Sequence, residues 1–146
     1  MFKLEESLVF NAAKASKMFM LSFNKHFVEL GVDITIEQFG VLYFIHRLQE
    51  SIQQDLANLL DKDKSAILRT IDILERKGYV LRIPDKDDRR KNIIQTTERA
   101  EEVMDRVLPS LAEYDSEILQ GIEPGELLVT LNVLSKIQKN IKCNNL

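Results

Sequence analysis

Apolar residues recur along most of this chain at three- and four-residue intervals, the period of an amphipathic helix. From about Leu4 to Leu30 the repeat runs through Leu8, Ala12, Ala15, Phe19, Phe23 and Phe27, and Gly31 is placed to end it. Phe10, Met18, Met20 and Val28 spread the apolar surface around much of the circumference, so this helix needs more than one neighbour, and a second subunit can be one of them. A second helix is expected over Ile36–Leu48, with Thr35 and Gln38 as a capping box and Phe39, Leu42, Tyr43, Ile45 and His46 as its stripe. A short third helix is expected over Ser51–Leu60, capped by Ser51 with Gln54 closing the box, and with Ile52, Leu56 and Leu59 facing inward.

After the polar turn at residues 60–63, Asp63 is placed to cap a fourth helix that buries Ile67, Ile71 and Leu74 and stops at Gly78. The period then changes to that of strands. Residues 79–83 and 92–96 are β-rich, and the charged run 84–91 between them reads as the tip of a hairpin. Thr97 opens another long helix, expected to reach about Gln120 with a kink at Pro109, and Gly121 breaks it. Pro124 sits in the first turn of a last helix with Leu127, Leu131, Leu134, Ile137 and Ile141 along one stripe. The expected fold class is mainly α with one small β-hairpin.

Composition narrows the class. An apolar content of 45% in 146 residues supports a packed core. The one cysteine, Cys143, excludes an internal disulfide and fits a reducing compartment. No apolar stretch approaches the roughly 20 residues needed to span a bilayer, and no secretory signal pattern opens the chain, so a cytoplasmic protein without membrane contact is expected. The formal net charge is −3, but residues 51–96 hold ten Lys/Arg against eight Asp/Glu while the rest hold ten against fifteen. A basic middle is thus framed by acidic ends.

That middle is helix, tight turn, helix, hairpin: a helix-turn-helix with a wing beside it. Opposite its apolar stripe the fourth helix carries Lys64, Ser65, Leu68, Arg69 and Asp72. Arginine forks onto guanine O6 and N7, and lysine or serine reaches base edges or phosphates. The same residues would also suit an ordinary solvated helix face. At the hairpin tip Asp88, Arg89 and Arg90 suit entry of a guanidinium into a narrow minor groove, with the carboxylate orienting it. A solvated polar turn would also accept them.

The segments Leu56-Ala57, Ile67 through Arg69, Leu74-Glu75-Arg76-Lys77-Gly78-Tyr79-Val80, Arg82, Asp88-Arg89-Arg90 and Ile93 through Thr97 closely resemble the MarR family of regulators. The resemblance extends over essentially the whole chain. Where that family usually has Leu-Thr-x-x-Gly after the wing, this chain has Thr96-Thr97-Glu98-Arg99-Ala100, which bears on how the next helix starts. The resemblance implies a homodimeric transcriptional regulator, a repressor that holds a pseudo-palindromic double-stranded operator and responds to a small aromatic or anionic effector. It implies a dimerisation module from residues 1–33 and 98–146, and a DNA-binding lobe from 34–97. It implies that Lys64, Ser65 and Arg69 grip or read the major groove, that Arg90 enters the minor groove held by Asp88, and that Arg89 supports a phosphate contact. Phe19, Phe23, His46 and Arg47 are the candidate effector-lining residues, chosen by the direction they face.

Other classes remain to be weighed. The acidic frame would suit a winged helix that binds protein rather than DNA. No Ser-His-Asp grouping, Gly-rich phosphate loop or metal-spaced cluster points to an enzyme, and no catalytic residue or cofactor is expected. His26 and His46 lie twenty residues apart with no local ligand pair, so no metal site is expected either. Cys143 reads as an incidental thiol, because reactive thiols need an electropositive surround.

Overall fold

The computed structural model describes residues 3–49, 51–60, 62–88 and 91–144. The chain divides into two compact units, 1–107 and 108–146.

The first unit opens with a single 3-10 turn, Leu4–Glu6, followed by α1, Leu8–Glu29. The helix therefore starts later than the apolar period suggests. Ser7 is extended, and its hydroxyl accepts the Phe10 amide at 3.2 Å, so a good N-cap interrupts the repeat. α1 closes at Leu30 with Gly31 at φ +69°, where Val32 N–H returns to Phe27 C=O. Asn24 Oδ1 then accepts the Ile36 amide at 2.8 Å, which ties the start of α2, Ile36–Leu48, to α1. The Thr35–Gln38 capping box forms as expected. Phe39, Val41, Leu42 and Ile45 are the buried face of α2, and Phe27 meets Phe39 edge-on with centroids 5.3 Å apart.

α3 spans Gln53–Leu60, and here local signals and structure part. Ser51 does not cap it. Its carbonyl accepts the Ile94 amide at 2.7 Å in an isolated bridge to the hairpin, and its hydroxyl is buried with no partner among the described residues. Leu56 and Ala57 are buried, whereas Leu59, expected inside, is 52% exposed. α4, Lys64–Arg76, is capped by Asp63 and closed by Gly78 at φ +76°, with Tyr79 N–H bonded to Leu74 C=O. Its Ile67, Ile71 and Leu74 are fully buried, each worth about 1.5–3 kcal/mol of transfer free energy.

β1, Val80–Pro84, pairs antiparallel with β2, Asn92–Thr96, in the register Val80↔Thr96 through Pro84↔Asn92. Val80 and Ile94 point to the core. Thr97 leads into α5, Glu98–Ile118, and its hydroxyl binds Gly78 C=O at 2.7 Å, so the helix entry is fastened to the end of α4. Ala100, Val103, Met104 and Val107 complete the core of this unit. α5 runs on through Pro109.

The second unit holds the end of α5 and α6, Pro124–Cys143. Pro124 occupies the first turn of α6, and Glu126 accepts the Glu123 amide at 3.0 Å. No described residue of α6 is fully buried, and Leu128, Val129, Leu131, Val133, Leu134 and Ile141 are exposed.

Candidate nucleic-acid interface

The exposed side of α4 begins with its cap. Asp63 accepts the Ser65 amide at 3.2 Å and the Ala66 amide at 3.1 Å, and these two bonds hold its carboxyl below the usual range. With the helix start fixed and Ile67, Ile71 and Leu74 committed to the core, Lys64, Ser65, Leu68 and Arg69 are left in solvent. Arg69 Nε donates to Ser65 C=O at 3.4 Å, so its side chain lies back towards the start of the helix. The structure thus brings Lys64, Ser65 and Arg69 onto one exposed face over the first two turns. Gln53 Nε2 donates to Lys64 C=O at 3.1 Å and braces α3 against that start.

Asp72 departs from the expected pattern. It is not a free member of the exposed face. Together with Glu75 it grips the guanidinium of Arg82 on β1. Two carboxylates one turn apart on α4 thereby fasten the first strand of the hairpin to α4. β2 is fastened on its other edge through the Ser51–Ile94 bridge.

The wing tip is organised by backbone bonds. Asp85 Oδ1 accepts the amides of Asp87 at 2.7 Å and Asp88 at 3.0 Å, and these hold its carboxyl below the usual range. Asp85 N–H reaches Lys91 C=O at 3.0 Å, and Lys91 N–H reaches Asp88 C=O at 2.9 Å. The Asp88 carboxylate is 3.9 Å from Lys91 Nζ. Arg89 and Arg90, and with them the expected Asp88–Arg90 pairing, lie outside the described residues.

Between α3, the first turn of α4 and the root of the wing is a notch lined by Gln53, Gln54, Lys64, Arg82, Lys91 and Asn92, with Ile52 and Ile94. Sequence reasoning missed Gln53, Gln54, Lys91 and Asn92. Lys91 directly follows the arginine pair and was the one signal available. Gln53 and Asn92 carry no local pattern, and Gln54 was read only as the closing residue of a capping box.

The effector candidates do not form one lining. Phe19, on α1, is 44% exposed and Phe23 is half-buried. His46 is not part of an apolar stripe: its Nδ1 lies 3.0 Å from Glu101 Oε1, and Thr96 Oγ1 also donates to that carboxylate at 2.8 Å. The Thr96 bond first, and then His46, holds the Glu101 carboxyl below its usual value against desolvation. His46 and Arg47 share a polar cleft with Gln49, Gln95, Thr96 and Glu101, and neither phenylalanine lines it. Among the described residues no group of three His, Cys, Asp or Glu is placed to hold a metal ion. Among the described residues no helix is long and apolar enough to cross a membrane.

A second polar cluster joins the loop between α1 and α2 to the end of α4 and the start of α5. Asp33, between α1 and α2, accepts the Tyr79 hydroxyl, and Arg99 of α5 lies 3.4 Å from its carboxylate and 4.6 Å from the Tyr79 ring centroid. Lys77, the residue that closes α4, reaches the Asp33 backbone carbonyl and lies 3.8 Å from its carboxylate.

Comparison with known proteins agrees with this geometry. Residues 34–91, which hold α2 through most of the wing, match the MarR family. The transcriptional regulator SlyA has a similar structure, with a TM-score of 0.83 and 22% identity over 94% of this chain and 96% of that one. A MarR protein from Peptoclostridium difficile matches with a TM-score of 0.84 and 22% identity over 99% of this chain and 94% of that one. The PcaV regulator from Streptomyces coelicolor, solved with its natural ligand, matches with a TM-score of 0.84 and 18% identity over 95% of this chain and 96% of that one. The expected winged helix-turn-helix fold is borne out, as is the resemblance carried by the motifs of residues 56–97.

Proposed function

We propose that this chain, whose residues 34–91 match the MarR family, is a transcriptional regulator that binds a specific double-stranded operator as a homodimer and represses transcription until a small effector releases it. The observation that carries the DNA-binding part is the exposed Lys64, Ser65 and Arg69 face of α4, held at a fixed angle to the wing by the Asp72–Arg82–Glu75 clamp. In this reading α4 enters the major groove, Arg69 forks onto a base edge, and Lys64 and Ser65 grip it. The wing tip, with Arg90 oriented by Asp88 and Arg89 on a phosphate, enters the adjacent minor groove.

The homodimer is supported within each unit separately. On α1, Leu8, Val9, Phe10, Met18, Phe19 and Leu21 are exposed, and α6 carries its own unburied apolar stripe. Apolar surface on that scale calls for cover, and residues 1–33 and 98–146 of a second copy supply it. The effector part rests on the open cleft at His46 and Arg47, where an imidazole and a guanidinium suit an anionic group. A ligand acts only through its preference for one spacing of the two recognition helices.

The test is binding of purified protein to the duplex upstream of its own gene and to random-sequence libraries, at two salt concentrations. Sequence preference with steep salt dependence is expected. Absence of binding to either, at low salt, would refute the DNA reading and favour a protein partner.

A further inference from the structure

Among the described residues, three cations and no carboxylate line the notch at the wing root. Their charges are committed to different degrees. Arg82 is held between Asp72 and Glu75, and Lys91 is 3.9 Å from Asp88. Lys64 forms no ion pair among the described residues. The side chains of Gln54 and Asn92 add neutral hydrogen-bonding groups, so the notch as a whole offers donors and positive charge to an acceptor.

Its position says which acceptor. α4 lies on one side and the wing on the other. If α4 occupies a major groove and the wing the neighbouring minor groove, the sugar-phosphate strand that separates those grooves must cross between them. That strand carries a phosphate charge at every nucleotide, and the space between α4 and the wing root is the notch. We propose that the notch is a phosphate seat, in which Lys64, Lys91 and Gln54 hold one phosphodiester of the backbone strand running between recognition helix and wing. The seat rests on the DNA-binding reading. It differs from the Arg69 and Arg90 contacts in fixing register without reading sequence.

The test uses the full chain, with a duplex selected from a random library and an unselected duplex as probes. Lys91→Gln should weaken binding to both severalfold and lower the slope of log affinity against log salt by about 0.9 for each notch engaged. Gln54→Glu, which puts a charge where the phosphate would sit, should weaken both duplexes in the same proportion. Both positions are at the surface, so melting temperatures of the free variants should match the parent. An unchanged slope in Lys91→Gln and unchanged affinity in Gln54→Glu, with the parent binding duplex, would overturn the seat and leave the DNA reading standing. A parent that binds no duplex would overturn both. If inorganic phosphate stabilises the parent but not Gln54→Glu, and the DNA slope of Lys91→Gln is unchanged, the notch belongs to a free anion and the proposal is wrong.

Discussion

Arg82→Leu should loosen the wing from the recognition helix, and the size of the effect follows from the clamp. The Arg82 side chain is 22% exposed, while Asp72 and Glu75 are 46% and 40% exposed. Half-open ion pairs are worth roughly 0.5–1 kcal/mol each. Removing the guanidinium also leaves two carboxylates facing each other one turn apart on α4, a repulsion of a few tenths of a kcal/mol. The expected loss is therefore about 1–2 kcal/mol per protomer, read by urea denaturation at low salt. It should shrink at about 1 M salt, where the screening length falls to roughly 3 Å. DNA affinity should fall by on the order of tenfold, because the wing no longer holds its angle. Arg82 could instead act by touching DNA itself, and the double variant Asp72→Asn/Glu75→Gln separates the two roles. It keeps the guanidinium but frees it from α4. Weaker binding in that variant supports the clamp, whereas equal or tighter binding would refute it.

Other consequences can be checked independently. Ile71→Ala deletes a fully buried side chain at the centre of the α4 packing face, and should cost about 2–5 kcal/mol in chemical unfolding; a loss under 1 kcal/mol would mean that this face is not the core. Asp33→Asn tests the Asp33 cluster through pH. The Asp33 carboxyl is held below its usual range chiefly by the Tyr79 hydroxyl, with Lys77 and Arg99 adding to it against desolvation. Its stabilisation is therefore present above the unfolded carboxylate pKa of about 3.9 and is lost as pH falls through the lower folded value. The melting temperature of Asp33→Asn should lie below the parent at neutral pH and converge with it in acid, and a gap that persists at low pH would count against the network. Leu131→Asp sits where α6 is 55% exposed. In an isolated chain it should be nearly neutral, within about 0.5 kcal/mol, but in the proposed homodimer it should shift the sedimenting species to monomer, and an unchanged dimer would place the interface elsewhere.

What the sequence determined by itself was mostly structure whose partners lie within a few residues. The Thr35–Gln38 capping box, the Asp63 cap, the closure of α4 at Gly78 and the change of period into the hairpin all formed where they were expected. Caps and Gly closures are satisfied by backbone groups one turn away, so residue type and spacing suffice to place them. The order helix, tight turn, helix, hairpin over residues 51–96 likewise pointed to the winged helix, and the motifs of residues 56–97 to the family it resembles. Only the tertiary structure decided which of two competing partners a polar group takes. Ser51 had a capping signature, but the hairpin offered its backbone a strand-like bridge to Ile94, and the hydroxyl was buried instead of capping α3. Asp72 had the spacing of an exposed recognition residue, but β1 brought Arg82 within reach and turned it into half of a clamp. The notch gathers Gln53, Gln54, Lys64, Lys91 and Asn92 from α3, α4 and the wing. No local pattern encodes that gathering, because it depends on where the chain returns in space and not on which residues are neighbours along it.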